Sequence, residues 1–174
     1  PVFESLRLTA PVSVRSEGVA PNAESWALDS VIHYVFPADV KLTWYDGDQR
    51  PPKEVQSLIG SRTLPGQGSI FIGSKGVLLL PHTAMPVLLP EDRFRDFQVS
   101  KVESVNHYFQ FANAVLGKDK TSAGFDYAGP LTETVLLGPV ATRFPNTTLD
   151  WDSARMKFTN TSAANEYVGG HYRH

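Results

Sequence analysis

"WALDSVIHYVF", Trp26–Phe36, decides the fold. The stretch is rich in β-branched and aromatic residues, and alternation sends Ile32, Tyr34 and Phe36 to one side and Val31, His33 and Val35 to the other. Side chains alternate across a strand with a period of two, so the segment reads as a strand with a central place in a sheet. "FPAD" (36–39) then reads as a turn into "VKLTWYDG" (40–47), a second strand, and the pair starts an antiparallel sheet. The Asp46-Gly47 step could end a hairpin, although "DGDQRPP" (46–52) looks more like an irregular loop.

Upstream, "PVSVRSEG" (11–18) alternates like a strand before "VAPNAE" (19–24) breaks it, and Pro1 to Leu8 resembles the tail of a helix. Downstream, "GSIFIGSKGVLLLP" (68–81) reads as two short strands around Ser74-Lys75-Gly76, with Gly73 and Gly76 suited to positive φ. After it the period changes. "SVNHYFQFANAVLGK" (104–118) puts Val105, Tyr108, Phe109, Ala112, Val115 and Leu116 on one helical stripe, which predicts a packed helix with Gly117 as its C-cap signal. A second helix is expected from Gly129-Pro130, carrying Leu131, Val135 and Gly138, with Gly138-Pro139 kinking or ending it. "TTLDWDSARMKFTN" (147–160) reads as strand and turn, and "SAANEYVGGHYRH" (162–174) as a short helix capped by Ser162. Strands first and helices afterwards predict an α+β fold: an open, mainly antiparallel β-sheet with helices packed on one face, in a single domain over residues 1–174.

The bulk numbers narrow the function. With 174 residues, 41% apolar and 20% charged, the composition is that of a globular protein, and no apolar run reaches the roughly 18–20 residues that span a bilayer. A net charge of −2, with basic residues dispersed, lacks the electrostatic footprint of a nucleic-acid binder. Cysteine is absent, which removes disulfides, thiolate-held zinc and a cysteine nucleophile together. Two sequons, at Asn146 and Asn160, matter only in a source that glycosylates.

Chemistry-bearing patterns are few. There is no G-x-G-x-x-G, no G-x-x-x-x-G-K-[ST] and no G-x-S-x-G, so neither pyrophosphate cradle nor serine elbow is expected. Asp29 and His33 have D-x-x-x-H spacing, but four residues of strand span about 13 Å, too far to share a proton. His171 and His174 form an H-x-x-H without a third ligand, so no metal is predicted. Asp150 and Asp152 share one strand face and read as surface carboxylates.

Two places could bind a small polar molecule. Asp126 and Tyr127, expected just ahead of the second helix, either cap it or offer an acceptor and an aromatic plate to a sugar. In "PNAESW", Asn22, Glu24 and Trp26 either line a polar pocket or form a turn, with the turn preferred. His107, at a helix start, either touches ligand or serves as a capping or interface residue. The substrate-binding candidates are therefore Asn22, Trp26, His107, Asp126 and Tyr127, with no catalytic, cofactor-binding or metal-ligating residue expected.

"PNAESWALDSVIHYVFPA" (21–38), "LTWYDGDQRPP" (42–52), "GSIFIGSKGVLLLP" (68–81), "FDYAGPLTETVLLG" (125–138) and "ANEYVGGHYR" (164–173) occur in an order that resembles the C-terminal α/β domain of bacterial Gfo/Idh/MocA oxidoreductases, in the branch common in planctomycetes and Bacteroidetes. The likeness covers nearly the whole chain. It implies a full-length parent with an N-terminal NAD(P)-binding Rossmann domain, here missing. The second domain in such a parent helps form a sugar or cyclitol site and joins copies into a homo-oligomer through its sheet face. NAD or NADP is then the parent's cofactor, with none in this chain. The family's Glu-Lys-Pro lysine has no match, and its Asp-x-x-x-His motif normally falls just upstream of "PVFESLRL". Asp29 and His33 only imitate that spacing. "HYRH" stops short of the family's usual tail, and Gly138-Pro139 departs from relatives that continue this helix smoothly. Relatives include NAD-dependent glycosidases, and many carry a twin-arginine export signal. Open alternatives are a free-standing carbohydrate-binding module and a pure assembly module.

Overall fold

The computed structural model describes residues 1–169. They gather into two compact units, one built from residues 1–50 and the chain from Asn106 onward, the other from Pro51–Val105. The protein is α+β, with antiparallel sheets of five and three strands.

The first unit opens with a short helix, α1 (Val2–Leu6), and continues through strands β1 (Ser13–Glu17), β2 (Ser30–Phe36) and β3 (Val40–Asp46). Strand β1 pairs antiparallel with β2, and β2 with β3, in a register that opposes Val14 to Tyr34 and Ile32 to Trp44. The alternation in "WALDSVIHYVF" is realised from Ser30 onward: Ser30, Ile32, Tyr34 and Phe36 are buried, while Val31, His33 and Val35 are half-buried on the opposite face. Trp26–Asp29, expected in the same strand, lie in the loop that precedes it. Between β2 and β3 the chain reverses through Ala38 (φ 61°) and Asp39 (φ 58°), left-handed positions that let the strands fold back tightly. Later strands, β7 (Thr148–Asp152) and β8 (Lys157–Phe158), complete the order β3-β2-β1-β7-β8.

One face of this sheet carries the core. Val14, Ile32, Tyr34, Phe36, Leu149 and Trp151 point into it, and Phe3 of α1 meets Phe36 edge to face at 5.7 Å. Covering them is the longest helix, Phe125–Thr142, which places Leu137, Val140 and Ala141 in the core. Full burial of a Leu or Val side chain is worth about 1.5–3 kcal/mol, so Leu137 and Val140 do most to hold the helix to the sheet, with a smaller part from Ala141.

This helix starts earlier and ends later than the sequence suggests. Gly124 is its N-cap, so Asp126 and Tyr127 lie inside the first turn instead of ahead of it, and Asp126 makes no capping hydrogen bond. Pro130 and Pro139 are both interior. Each removes one i→i−4 bond. The carbonyls left over belong to Asp126 and Val135, both exposed, so water can satisfy them. Thr134 and Thr142 donate their hydroxyls to the Pro130 and Pro139 carbonyls at 2.9 and 2.7 Å, which seals the turns around each ring. Val135, expected on the packed side, is exposed, whereas Leu131 and Gly138 do face the core.

The helix His107–Val115 starts at His107, where the sequence reading places a helix start, and the Asn106 side chain caps it by accepting from the amides of Tyr108 and Phe109. The expectation that its stripe packs is overturned. It has no buried residue, and Tyr108, Phe109, Phe111, Val115 and Leu116 are all exposed. Near the end of the described chain, a 3₁₀ turn spans Ser162–Tyr167 with Thr161 at its N-cap position, in place of an α-helix capped by Ser162. Its Ala164 is fully buried. His171 and His174 lie outside the described residues.

The second unit holds α2 (Lys53–Ser57) and the sheet β4 (Gly68–Gly73), β5 (Gly76–Pro81) and β6 (Val87–Leu89), around a small core of Ile59, Leu79 and Leu89. With α2 counted, the first unit's later helices are α3 (His107–Val115) and α4 (Phe125–Thr142). Ser74-Lys75 form the hairpin tip. Only one of its flanking glycines needs to be glycine. Gly76 has φ 155°, and a Cβ there would strike the Leu89 carbonyl and the Phe94 ring, but Gly73 has no positive φ.

Candidate functional site

At the C-terminal end of α4, Arg143 gathers residues far apart in the sequence. Its Nη1 donates to the Asn22 carbonyl at 2.6 Å and its Nη2 to the Ser25 carbonyl at 2.8 Å. The guanidinium carbon lies 4.8 Å from the Trp26 ring centroid and 5.7 Å from that of Tyr167, within the range of cation–π attraction. Tyr167 in turn meets Phe144 edge to face at 6.0 Å. Arg suits this position because its planar fork addresses two carbonyls while its face stacks on rings.

The five candidate residues separate into distinct places. Asn22 and Trp26 are brought together by Arg143. Asn22 is also engaged locally, its Oδ1 accepting from the Glu24 amide (2.9 Å), the Ser25 amide (2.8 Å) and the Ser25 hydroxyl (2.9 Å), a turn built around one side chain. Trp26 remains 58% exposed. Asp126 and Tyr127 sit at the other end of α4. Sixteen residues at about 1.5 Å each put Tyr127 roughly 24 Å from Arg143 along the axis, so the two groups cannot share one small ligand. Tyr127 is half-buried and packs on the core, and Asp126 is exposed in the first turn, where its charge suits the helix dipole. His107 is exposed at the first position of α3, its ring 4.0 Å from that of Tyr108.

The sheet face away from α4 carries a polar cluster. Arg15 donates to Glu17 Oε1 at 2.8 Å and to Asn146 Oδ1 at 3.3 Å. His33, opposite Arg15 in register, places Nδ1 3.1 Å from Thr43 Oγ1. Its Nε2 lies 3.1 Å from Glu17 Oε1, near enough for an ion pair but out of hydrogen-bond alignment. The hydrogen bond from Arg15, with the His33 charge adding to it, holds the Glu17 carboxyl below its usual range. Burial, followed by the Glu17 charge, pushes the Tyr45 phenol up. Asp29, meanwhile, accepts the Asp48 amide through Oδ1, so the acid and imidazole of the D-x-x-x-H spacing serve different neighbours.

A third feature is an open cleft of about 570 Å³ lined by Thr9–Val12, Pro37, Pro130, Glu133 and Trp151–Ser153. Glu133 Oε1 accepts the Trp151 indole N–H at 2.5 Å. Asp152 accepts from the Arg155 amide at 3.0 Å and its guanidinium at 3.1 Å. Ionised carboxylates have about four acceptor positions each, so both retain capacity for a hydroxyl-bearing molecule.

Among the described residues no group of three or more His, Asp or Glu side chains could hold a metal ion, and no helix is long and apolar enough to cross a membrane. The chain matches no protein-family model and no curated protein sequence.

Sequence reasoning missed Arg143, Tyr167 and Glu133. Arg143 lies 118 and 121 residues from its carbonyl partners, and its only local signal is a cation following the buried run of α4.

Proposed function

We propose that this chain is the substrate-side and assembly part of an NAD(P)-dependent oxidoreductase of the Gfo/Idh/MocA kind, acting on a sugar or cyclitol. The observation that carries the reading is α3: four large apolar residues on one regular helix and Leu116 at its C-cap, none of them covered among the described residues. Contiguous apolar patches beyond a few hundred Å² mark interaction surfaces, and a helix with such a face exists to be covered by a partner. In this reading a Rossmann domain supplies the nicotinamide site and the proton-transfer pair. The chain contributes a wall with unspent carboxylate acceptors at Glu133 and Asp152, and the polar sheet face around Arg15, Glu17 and His33 joins it to a second copy. Asp29 and His33 support the assignment of chemistry elsewhere, since each is committed to a structural neighbour.

The test is the coding sequence upstream of Pro1. A strand–glycine-turn–helix fingerprint followed by a Glu-Lys-Pro segment and an Asp-x-x-x-His helix is expected there. An unrelated upstream segment, or nicotinamide-dependent turnover by the 174-residue chain alone, overturns the reading.

The exposed ring of Trp26 favours one second reading, a free-standing carbohydrate-binding module. Glycan titration separates the two: saturable binding by the chain alone, lost in Trp26→Ala, belongs to the module and not to the redox enzyme.

A further inference from the structure

The connection between β1 and β2 is a twelve-residue excursion, 18–29, and among the described residues none of it makes a backbone hydrogen bond to the rest of the protein outside the strands. It exposes Val19 (90%), Leu28 (88%) and Trp26 (58%), an unusual apolar content for a solvated loop. Three features turn it into a mechanical part. At one end Gly18 has φ 106°, a backbone conformation that glycine adopts without strain, and nothing lies within 4 Å of where a Cβ would stand. At the other end Asp29 is pinned through its carboxylate to the Asp48 amide. In the middle, Asn22 ties Glu24 and Ser25 into one turn, so that the segment moves as a body.

We propose that residues 18–29 form a hinged strap and that Arg143 is its latch. The guanidinium holds the Asn22 and Ser25 carbonyls on its two prongs and lies over Trp26, and among the described residues no other side chain hydrogen-bonds the central part of the strap to the body of the unit. Its own base is firm, because Ala141 and Thr142 immediately before it are buried at 0% and 4% exposure. Closed, the strap keeps Trp26 against Arg143. Released, it frees the ring and the guanidinium together. Arg143 thus acts as a positioning residue through the strap. This inference is independent of the redox reading, because it uses only contacts within the first unit.

Cleavage by a glutamate-specific protease tests it on the full chain. Glu24 lies in the strap, and Glu133 lies within α4, where cutting requires the helix to unfold. In Arg143→Met the cut after Glu24 is expected about tenfold faster, as for any segment whose local opening is made easier, while the cut after Glu133 keeps its rate. Arg143→Lys keeps a cation over Trp26 but loses the two-pronged grip, and should fall between. Equal cutting after Glu24 in all three proteins overturns the latch. So does a parallel rise at Glu133, or failure of the variants to fold, since either makes Arg143 a brace of the core.

Discussion

Tyr34 and Gly138 meet where α4 crosses β2: a methyl group on Gly138 would overlap the Tyr34 hydroxyl and lie 3.0 Å from Ile32 Cδ1. The contact sets how closely helix and sheet approach. Gly138→Ala should therefore destabilise the chain by about 1–3 kcal/mol through overpacking, despite the better helix propensity of alanine. Urea unfolding measures the loss. Adding Tyr34→Phe removes the colliding oxygen and should restore part of it, and two losses that simply add would place the strain elsewhere.

Burial also raises the Tyr34 phenol far above its usual pKa, so the folded state holds that proton more tightly than the unfolded one. For a raised group, the contribution is complete below the unfolded value near 10 and is lost as pH rises toward the folded value. The chain should lose stability steadily above about pH 10, and Tyr34→Phe should flatten this alkaline slope. Denaturation midpoints at pH 8 to 11 give the comparison. Glu17 has the opposite sign. Its lowered pKa stabilises above the ordinary carboxylate value of 4.5 and fades as pH falls through the folded value, so any advantage of the parent over Glu17→Gln should shrink below pH 4.5. The pair is exposed, which keeps that advantage small.

Glu133 and Trp151 tie α4 to β7 inside the rim of the cleft. Glu133→Ala would leave a largely buried indole N–H without its acceptor, at about 1–3 kcal/mol, whereas Glu133→Gln keeps an acceptor and should cost much less. Chemical denaturation ranks the three proteins, and equal losses for Ala and Gln would show that charge, not the hydrogen bond, matters here.

The sheet was legible because its information is local. Alternation at Ile32, Tyr34 and Phe36 names the buried face of β2 without reference to any other element. Helix α4 was legible in existence but not in extent. Pro130 resembles a first-turn proline, and only the exposure of Asp126 and Val135 explains why a helix can run through two prolines. The site was the least legible part. Asn22 and Trp26 have suggestive side chains, but Arg143, which organises them, is distant in sequence and addresses carbonyls, which leave no trace in residue type. Periodicity in α3 likewise reports an apolar stripe and says nothing of whether its cover lies in the same chain.

That last distinction can be measured. Gln110 accepts from the Ser122 amide and hydroxyl at 3.3 and 3.0 Å, which ties α3 to the following loop through its polar side. At 100° per residue, Tyr108, Phe111, Ala112, Val115 and Leu116 fall on the other side of the helix, away from Gln110. Phe111 is 64% exposed, and lysine is a good helix former, so Phe111→Lys should leave unfolding stability within about 0.5 kcal/mol of the parent. The same substitution should lower the binding of an apolar dye and any self-association seen by light scattering, because it places a charge within the patch. Were Phe111 part of a closed core, its loss would instead cost about 3–5 kcal/mol, and a drop of that size would refute the uncovered face on which the docking role proposed for α3 depends.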